Sequence, residues 1–288
     1  MRKILSFVLL LCTCSAFAQS EKSKVVTDTV YSHILKCDRA FNVYLPHNYN
    51  VDVDKSYPVL YLLHGYSDDH QQWARRGHVR EVMNNLVRSG QVEEMIVVMP
   101  MAGIAKGEKD SYHGYFNVPN WKYEDFFFQE FIPEVEKRYR IKTDKQHRAI
   151  AGLSMGGGGC TSYAQRHPDM FCAVYAMSAL MDNLSTMPAK SGNQAKRWAM
   201  LNSAAENSCV AYVKDASEQT LEELKTVKWF VDCGDEDYLL ELSLAFVDAM
   251  KKRGVPFEFR VRDGVHDWEY WHSALYICLP FVNDCFGE

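Results

Sequence analysis

The chain has 288 residues, of which 47% are hydrophobic and 24% charged. That balance suits a folded domain with a large core and excludes a disordered or low-complexity chain. The formal charge of −5 argues against nucleic acid or an anionic membrane surface as a partner.

The first element in chain order is a leader. Arg2 and Lys3 precede an apolar run from Ile4 to Leu11, and Ala16-Phe17-Ala18 has the small-x-small form of a cleavage site. Residues 1–18 therefore read as a secretory signal peptide, too short to span a bilayer. The remainder, 19–288, reads as a single secreted or periplasmic domain with no membrane span. A lipoprotein reading of Cys12 or Cys14 is weaker, because the residue before a lipidated cysteine should be small, and Leu11 and Thr13 fit that poorly. Seven cysteines follow the leader: Cys37, Cys160, Cys172, Cys209, Cys233, Cys278 and Cys285. An odd number leaves at least one unpaired, and the compartment allows one or two disulfides. Cys172 and Cys233 sit in apolar runs and read as buried thiols. No pair has C-x-x-C spacing, so a zinc or thioredoxin-like site has no support.

From residue 25 to 44 the chain reads as a leading antiparallel meander, with alternation over Phe41-Asn42-Val43-Tyr44-Leu45. Two continuous apolar runs follow, at 59–63 and 95–99. Runs of this kind suit parallel strands covered on both faces. The segments 148–151, 172–177, 228–232 and 257–261 extend the series. Helical periods alternate with them. Phe127, Phe131, Val135 and Tyr139 recur every four residues; so, nearly, do Leu240, Leu244, Val247 and Met250, with Gly254 as a stop. Alternating strand and helix predicts a mostly parallel central sheet with helices on both faces. The segment 181–226 is polar, helical in parts and without a clear strand. It reads as an insertion over the sheet.

Ile150-Ala151-Gly152-Leu153-Ser154-Met155-Gly156-Gly157-Gly158-Gly159 carries the chemistry. Gly152 to Gly156 match G-x-S-x-G between a strand and a helix, the context of a nucleophile elbow. A serine there sits on a sharp turn, and larger side chains two residues either way would collide. No Lys precedes the Ser or Thr a phosphate loop needs, and the stretch lacks the G-x-G of a dinucleotide site. Gly158 and Gly159 are not required by the motif and should weaken a first helical turn, so close approach by a neighbouring element is the expectation.

Serine is inert without a base and an orienting acid, which in such folds follow in the order acid, then histidine. The strand at 228–232 ends in Cys233-Gly234-Asp235-Glu236-Asp237, and the next ends in Asp263-Gly264-Val265-His266. Asp232, Asp235 and Asp237 compete for the acid: Asp232 lies at the strand end, Asp235 suits the turn, and Asp237 lies beyond it. His266 competes with His272, which falls inside an expected helix over 270–278. Met155 N–H is one expected oxyanion donor. The second comes from the loop after Leu62-Leu63-His64-Gly65-Tyr66, from Tyr66 N–H or its rival Gly65 N–H, with His64 holding the loop.

The combination of Tyr57-Pro58-Val59-Leu60-Tyr61-Leu62-Leu63-His64-Gly65, Phe131-Ile132-Pro133, the elbow, His167-Pro168-Asp169-Met170-Phe171, Gly234-Asp235-Glu236-Asp237 and His266-Asp267-Trp268 resembles the esterase D group of α/β-hydrolases. That group includes feruloyl and acetyl-xylan esterases of carbohydrate esterase family 1, S-formylglutathione hydrolases and mycolyltransferases. The resemblance implies an α/β-hydrolase fold, a Ser154–His266–Asp237 triad, oxyanion donors at Tyr66 and Met155, and no cofactor or metal. It implies a secreted serine carboxylesterase acting on feruloyl or acetyl esters of plant cell-wall polysaccharide. An acyltransferase, a thioesterase acting on S-formylglutathione, and an inactive carbohydrate-binding homologue are the alternatives. Trp73, His113 and Trp268 are the named candidates for substrate contact, with Tyr112, Tyr115 and Trp271 as further aromatics; for each, core packing is the rival role.

Overall fold

The computed structural model describes residues 22–66, 68–102, 114–119, 121–182 and 201–287. The signal-peptide reading, Tyr112 and His113 therefore lie outside the described residues.

The leading hairpin is β1 (Lys24–Ser32) and β2 (Cys37–Leu45), paired antiparallel. The two apolar runs form β3 (Val59–Leu63) and β4 (Ile96–Pro100). A short ribbon, β5 (Asn117–Val118) and β6 (Trp121–Lys122), stands apart from the main sheet. The rest are β7 (Arg148–Leu153), β8 (Ala173–Met177), β9 (Lys228–Gly234) and β10 (Glu258–Arg262). The sheet has eight strands in the order β1-β2-β4-β3-β7-β8-β9-β10. From β4 to β10 every neighbouring pair is parallel, and β2 joins β4 antiparallel. This is the α/β-hydrolase arrangement that the sequence predicts.

Period-2 geometry divides each apolar run between the two faces. Val59, Tyr61 and Leu63 enter one core, whereas Leu60 and Leu62 enter the other. The edge strand β10 differs. It pairs only with β9, and Glu258, Arg260 and Val261 are exposed.

Three helices depart from the expected periods, each for a packing reason. The helix from Tyr123 to Arg138 contains a π turn at Phe127–Phe131. The wider turn keeps Phe127, Phe131 and Val135, spaced four apart, on one buried face. In Leu240–Lys252 the buried face is Ser243, Phe246, Val247 and Met250, and Leu244 is exposed. Gly254 follows at φ +69°, a left-handed stop. The last helix runs from Trp268 to Asp284, well past 278, and continues through Pro280. Leu279 and Val282 remain fully buried beyond the expected end, and that packing offsets the proline.

Within 181–226, helices Cys209–Lys214 and Glu218–Leu224 are described, the second capped by Ser217. Of the seven cysteines from Cys37 onward six are buried, and Cys160, Cys172, Cys209, Cys233 and Cys278 are free thiols. Among the described residues no helix is long and apolar enough to cross a membrane, and no cluster of His, Cys, Asp and Glu could hold a metal ion.

Candidate active site

Ser154 follows β7 directly and opens the helix Met155–Arg166. Its backbone sits at φ +53°, ψ −116°, a strained conformation for a side chain with a Cβ. The backbone around it enforces that turn. Ser154 N–H donates to Met177 O (2.9 Å), and Ser154 O accepts from Gly158 N–H (3.1 Å) and Leu180 N–H (2.9 Å). A Cβ on Gly152 would lie 2.3 Å from Gly156 O; one on Gly156 would lie 2.6 Å from His64 O. The extra glycines have the same cause. A Cβ on Gly158 would meet Leu180 O at 1.9 Å, and one on Gly159 would meet the Tyr115 ring at 2.8 Å. Close approach by neighbouring chain is thus what these positions require.

Ser154, His266 and Asp237 come together although they arise from three strands. His266 Nε2 lies 2.9 Å from Ser154 Oγ, and its Nδ1 lies 2.8 and 3.0 Å from the two Asp237 oxygens. Burial works to raise the Asp237 pKa. Hydrogen bonds from His266, Leu239 N–H and Ser178, together with the imidazole charge, outweigh it and hold the carboxyl below its ordinary value. An ionised Asp237 only accepts hydrogen bonds. His266 Nδ1 must then carry the proton, and Nε2 is left as the acceptor facing the serine hydroxyl.

The rival residues have other partners. Asp232 is fully buried and accepts from Tyr175 Oη (2.7 Å) and Tyr270 Oη (2.5 Å), with Arg262 Nε at 3.5 Å. It ties β8, β9 and the last helix together. Asp235 accepts from Gly264 N–H and shapes the turn. His272 bonds Gly77 O through Nδ1 (2.8 Å). Asp267 caps the last helix by accepting from Tyr270 N–H.

The loop after β3 lies against the serine: a Cβ on Gly65 would be 3.8 Å from Ser154 Cβ. Tyr66 and Met155 line the same cleft, whose volume is about 360 Å³. His64 anchors this loop. Ala102 N–H donates to its Nε2 (3.0 Å), so Nδ1 carries the proton and donates to Gly65 O (2.7 Å). Burial pushes the His64 pKa down to about 4. The unfolded chain holds that proton up to about pH 6.5. Between those values the unfolded state binds more protons, so stability falls as pH drops through the window. The expected loss from pH 7 to pH 4 is up to about 3 kcal/mol. Urea midpoints across that range would measure it. His64→Asn should flatten the dependence; an unchanged slope would assign the titration to other groups.

The aromatic candidates separate. Trp268 lines the cleft; Asp68 hydrogen-bonds its side chain and Arg76 lies 5.3 Å over its ring. Trp271 also lines it, and its Nε1 donates to Ser178 Oγ (3.1 Å). Trp73 does not reach the cleft. It is fully buried, donates to Leu63 O and packs edge-on against Trp268 at 5.1 Å, so it supports the wall from behind. Tyr115 is equally buried and donates to His64 O.

Besides Asp68 and Arg76, two further residues at this site escaped the sequence reading. Ser178 is fully buried at φ +45° and bridges Trp271 to Asp237. Its place just after β8, at the end where such sheets bind ligands, is the signal that could have found it. Tyr238, next to Asp237, packs on the His266 ring with centroids 4.5 Å apart.

The family model described as Putative esterase matches residues 32–282. A solved ferulic acid esterase is 55% identical with a TM-score of 0.87, the alignment covering 93% of this chain and all of that one. The endo-1,4-beta-xylanase/feruloyl esterase of Xylanibacter ruminicola is 30% identical over 239 residues, which cover 81% of this chain and 28% of that protein. An acetyl esterase of Caldicellulosiruptor saccharolyticus is 22% identical over 85% of this chain and 92% of its own. The chain belongs to the Putative esterase family, ester hydrolases on the α/β-hydrolase fold.

Proposed function

We propose that the chain is an exported serine carboxylesterase whose substrates are feruloyl or acetyl esters of plant cell-wall polysaccharide. The observation that carries the chemistry is the unbroken hydrogen-bond chain Asp237–His266–Ser154 at the wall of an open cleft.

Ser154 Oγ attacks the ester carbonyl while His266 Nε2 takes its proton. The same proton then passes to the leaving alcohol oxygen. Asp237 remains ionised and holds the imidazolium in place. Backbone N–H groups of Met155 and Tyr66 stabilise the oxyanion, assisted by the N-terminus of the elbow helix. Water, activated by His266, releases the acyl group from Ser154. Trp268, held by Asp68 and Arg76, lines the cleft beside Ser154 and bounds the space open to the acyl group. The likeness to feruloyl esterases supports the aryl acyl group, and the leader at residues 1–18 supports export.

The test is acyl release from methyl ferulate, acetylated xylan and S-formylglutathione, using enzyme recovered from outside the cytoplasm with its N-terminus at Gln19. Methyl ferulate or the xylan is expected to turn over fastest. Cleavage of the thioester alone would overturn the cell-wall assignment.

A further inference from the structure

The chemistry of the triad dictates where the alcohol half of the ester must sit. The leaving oxygen receives its proton from His266 Nε2, so the alcohol leaves from the imidazole side of the cleft. Two aromatic rings touch that imidazole. Trp271 meets it edge-on at 4.9 Å but is only 6% exposed. Tyr238 meets it at 4.5 Å with a 48° tilt and is 54% exposed. Tyr238 is thus the ring beside the proton donor that still presents area to solvent, and it lines the same cleft as Ser154.

We infer that Tyr238 is the platform for a sugar leaving group, stacking the C–H face of the glycosyl residue that carries the ester. This deepens the proposed function and rests on its triad. A sugar ring has one face of C–H groups and a rim of hydroxyls. An exposed phenol offers an apolar face at low rotamer cost. Tyr238 sits directly after Asp237, whose carboxylate accepts from both His266 and Leu239 N–H, so its backbone is fixed on either side. The platform is therefore registered to the proton donor. A sugar stacked there presents its ester oxygen to Nε2, while the acyl group extends across the cleft toward Trp268.

The test compares two esters of the same acid in the wild-type chain, Tyr238→Ala and Tyr238→Phe. One is methyl ferulate; the other is ferulate esterified to an arabinosyl xylo-oligosaccharide. The readout is the ratio of kcat/KM for the sugar ester to that for the methyl ester. Aromatic contacts of this kind contribute about 1 kcal/mol, close to fivefold in affinity. Tyr238→Ala is expected to lower the ratio about fivefold, mainly through KM of the sugar ester. Tyr238→Phe, which keeps the ring, should keep the ratio. A ratio unchanged in Tyr238→Ala overturns the inference, because a ring that only steadies His266 affects both esters alike. A wild-type chain that cleaves neither ester overturns the esterase reading itself, a distinct outcome.

Discussion

Ser154→Ala is expected to reduce kcat on methyl ferulate by at least about 10⁴-fold while leaving the fold intact. The hydroxyl makes one hydrogen bond to His266 and otherwise faces the cleft, so its loss leaves no buried polar group stranded. The turn that holds residue 154 is set by backbone hydrogen bonds to Met177 and Leu180, which alanine keeps. The size of the effect follows from the covalent route: without the oxygen there is no acyl-enzyme, and what remains is binding and oxyanion stabilisation. The check pairs initial rates with a serine-directed fluorophosphonate probe, which should label the wild type at residue 154 and leave the variant unlabelled. Retention of more than a tenth of the wild-type rate would show that another nucleophile does the work.

Gly158→Ala should destabilise the protein more than most single methyl additions, by about 3 kcal/mol. The added carbon would fall 1.9 Å from Leu180 O, a backbone atom with little room to move, because Leu180 N–H is bonded to Ser154 O. Relief requires the 178–182 loop or the elbow helix to shift, and both are bonded to Ser154 O. A melting midpoint lowered by roughly 10 °C is expected, with a fall in kcat in the protein that remains folded. An unchanged midpoint would mean that the loop can retreat without cost.

Much of the architecture was legible because parallel strands buried on both faces leave continuous apolar runs, and because Gly152, Ser154 and Gly156 answer to one steric demand. That Asp237 and His266 would meet Ser154 was legible for the same reason: each lies just past a strand end that a glycine turn marks. Asp237 was favoured over Asp232 by the family resemblance, and the physical cause is now visible. A carboxylate within the strand points into the sheet and finds Tyr175 and Tyr270, whereas one beyond the turn can reach back to His266. Trp73 could not be told from Trp268, since which tryptophan lines the cleft depends on how helix and loop pack. The place of Ser178 after β8 was legible but its bond was not, because its partner Trp271 is 93 positions away, in an element whose register nothing local reveals. Leu244 was misplaced because a period of four matches two helix faces nearly equally well.

The sheet distributes the triad unevenly. Ser154 follows β7, which has strands on both sides, whereas His266 follows β10, held by β9 alone and with half its length in water. Strands of that kind open by local fluctuation at a fraction of the free energy that unfolds the centre. Ser154 and His266 are therefore protected to different degrees, and under the proposed mechanism activity is more fragile than the fold. Mild denaturant or heat should silence the enzyme while the central strands still shield their amides from exchange, and the silence should be reversible.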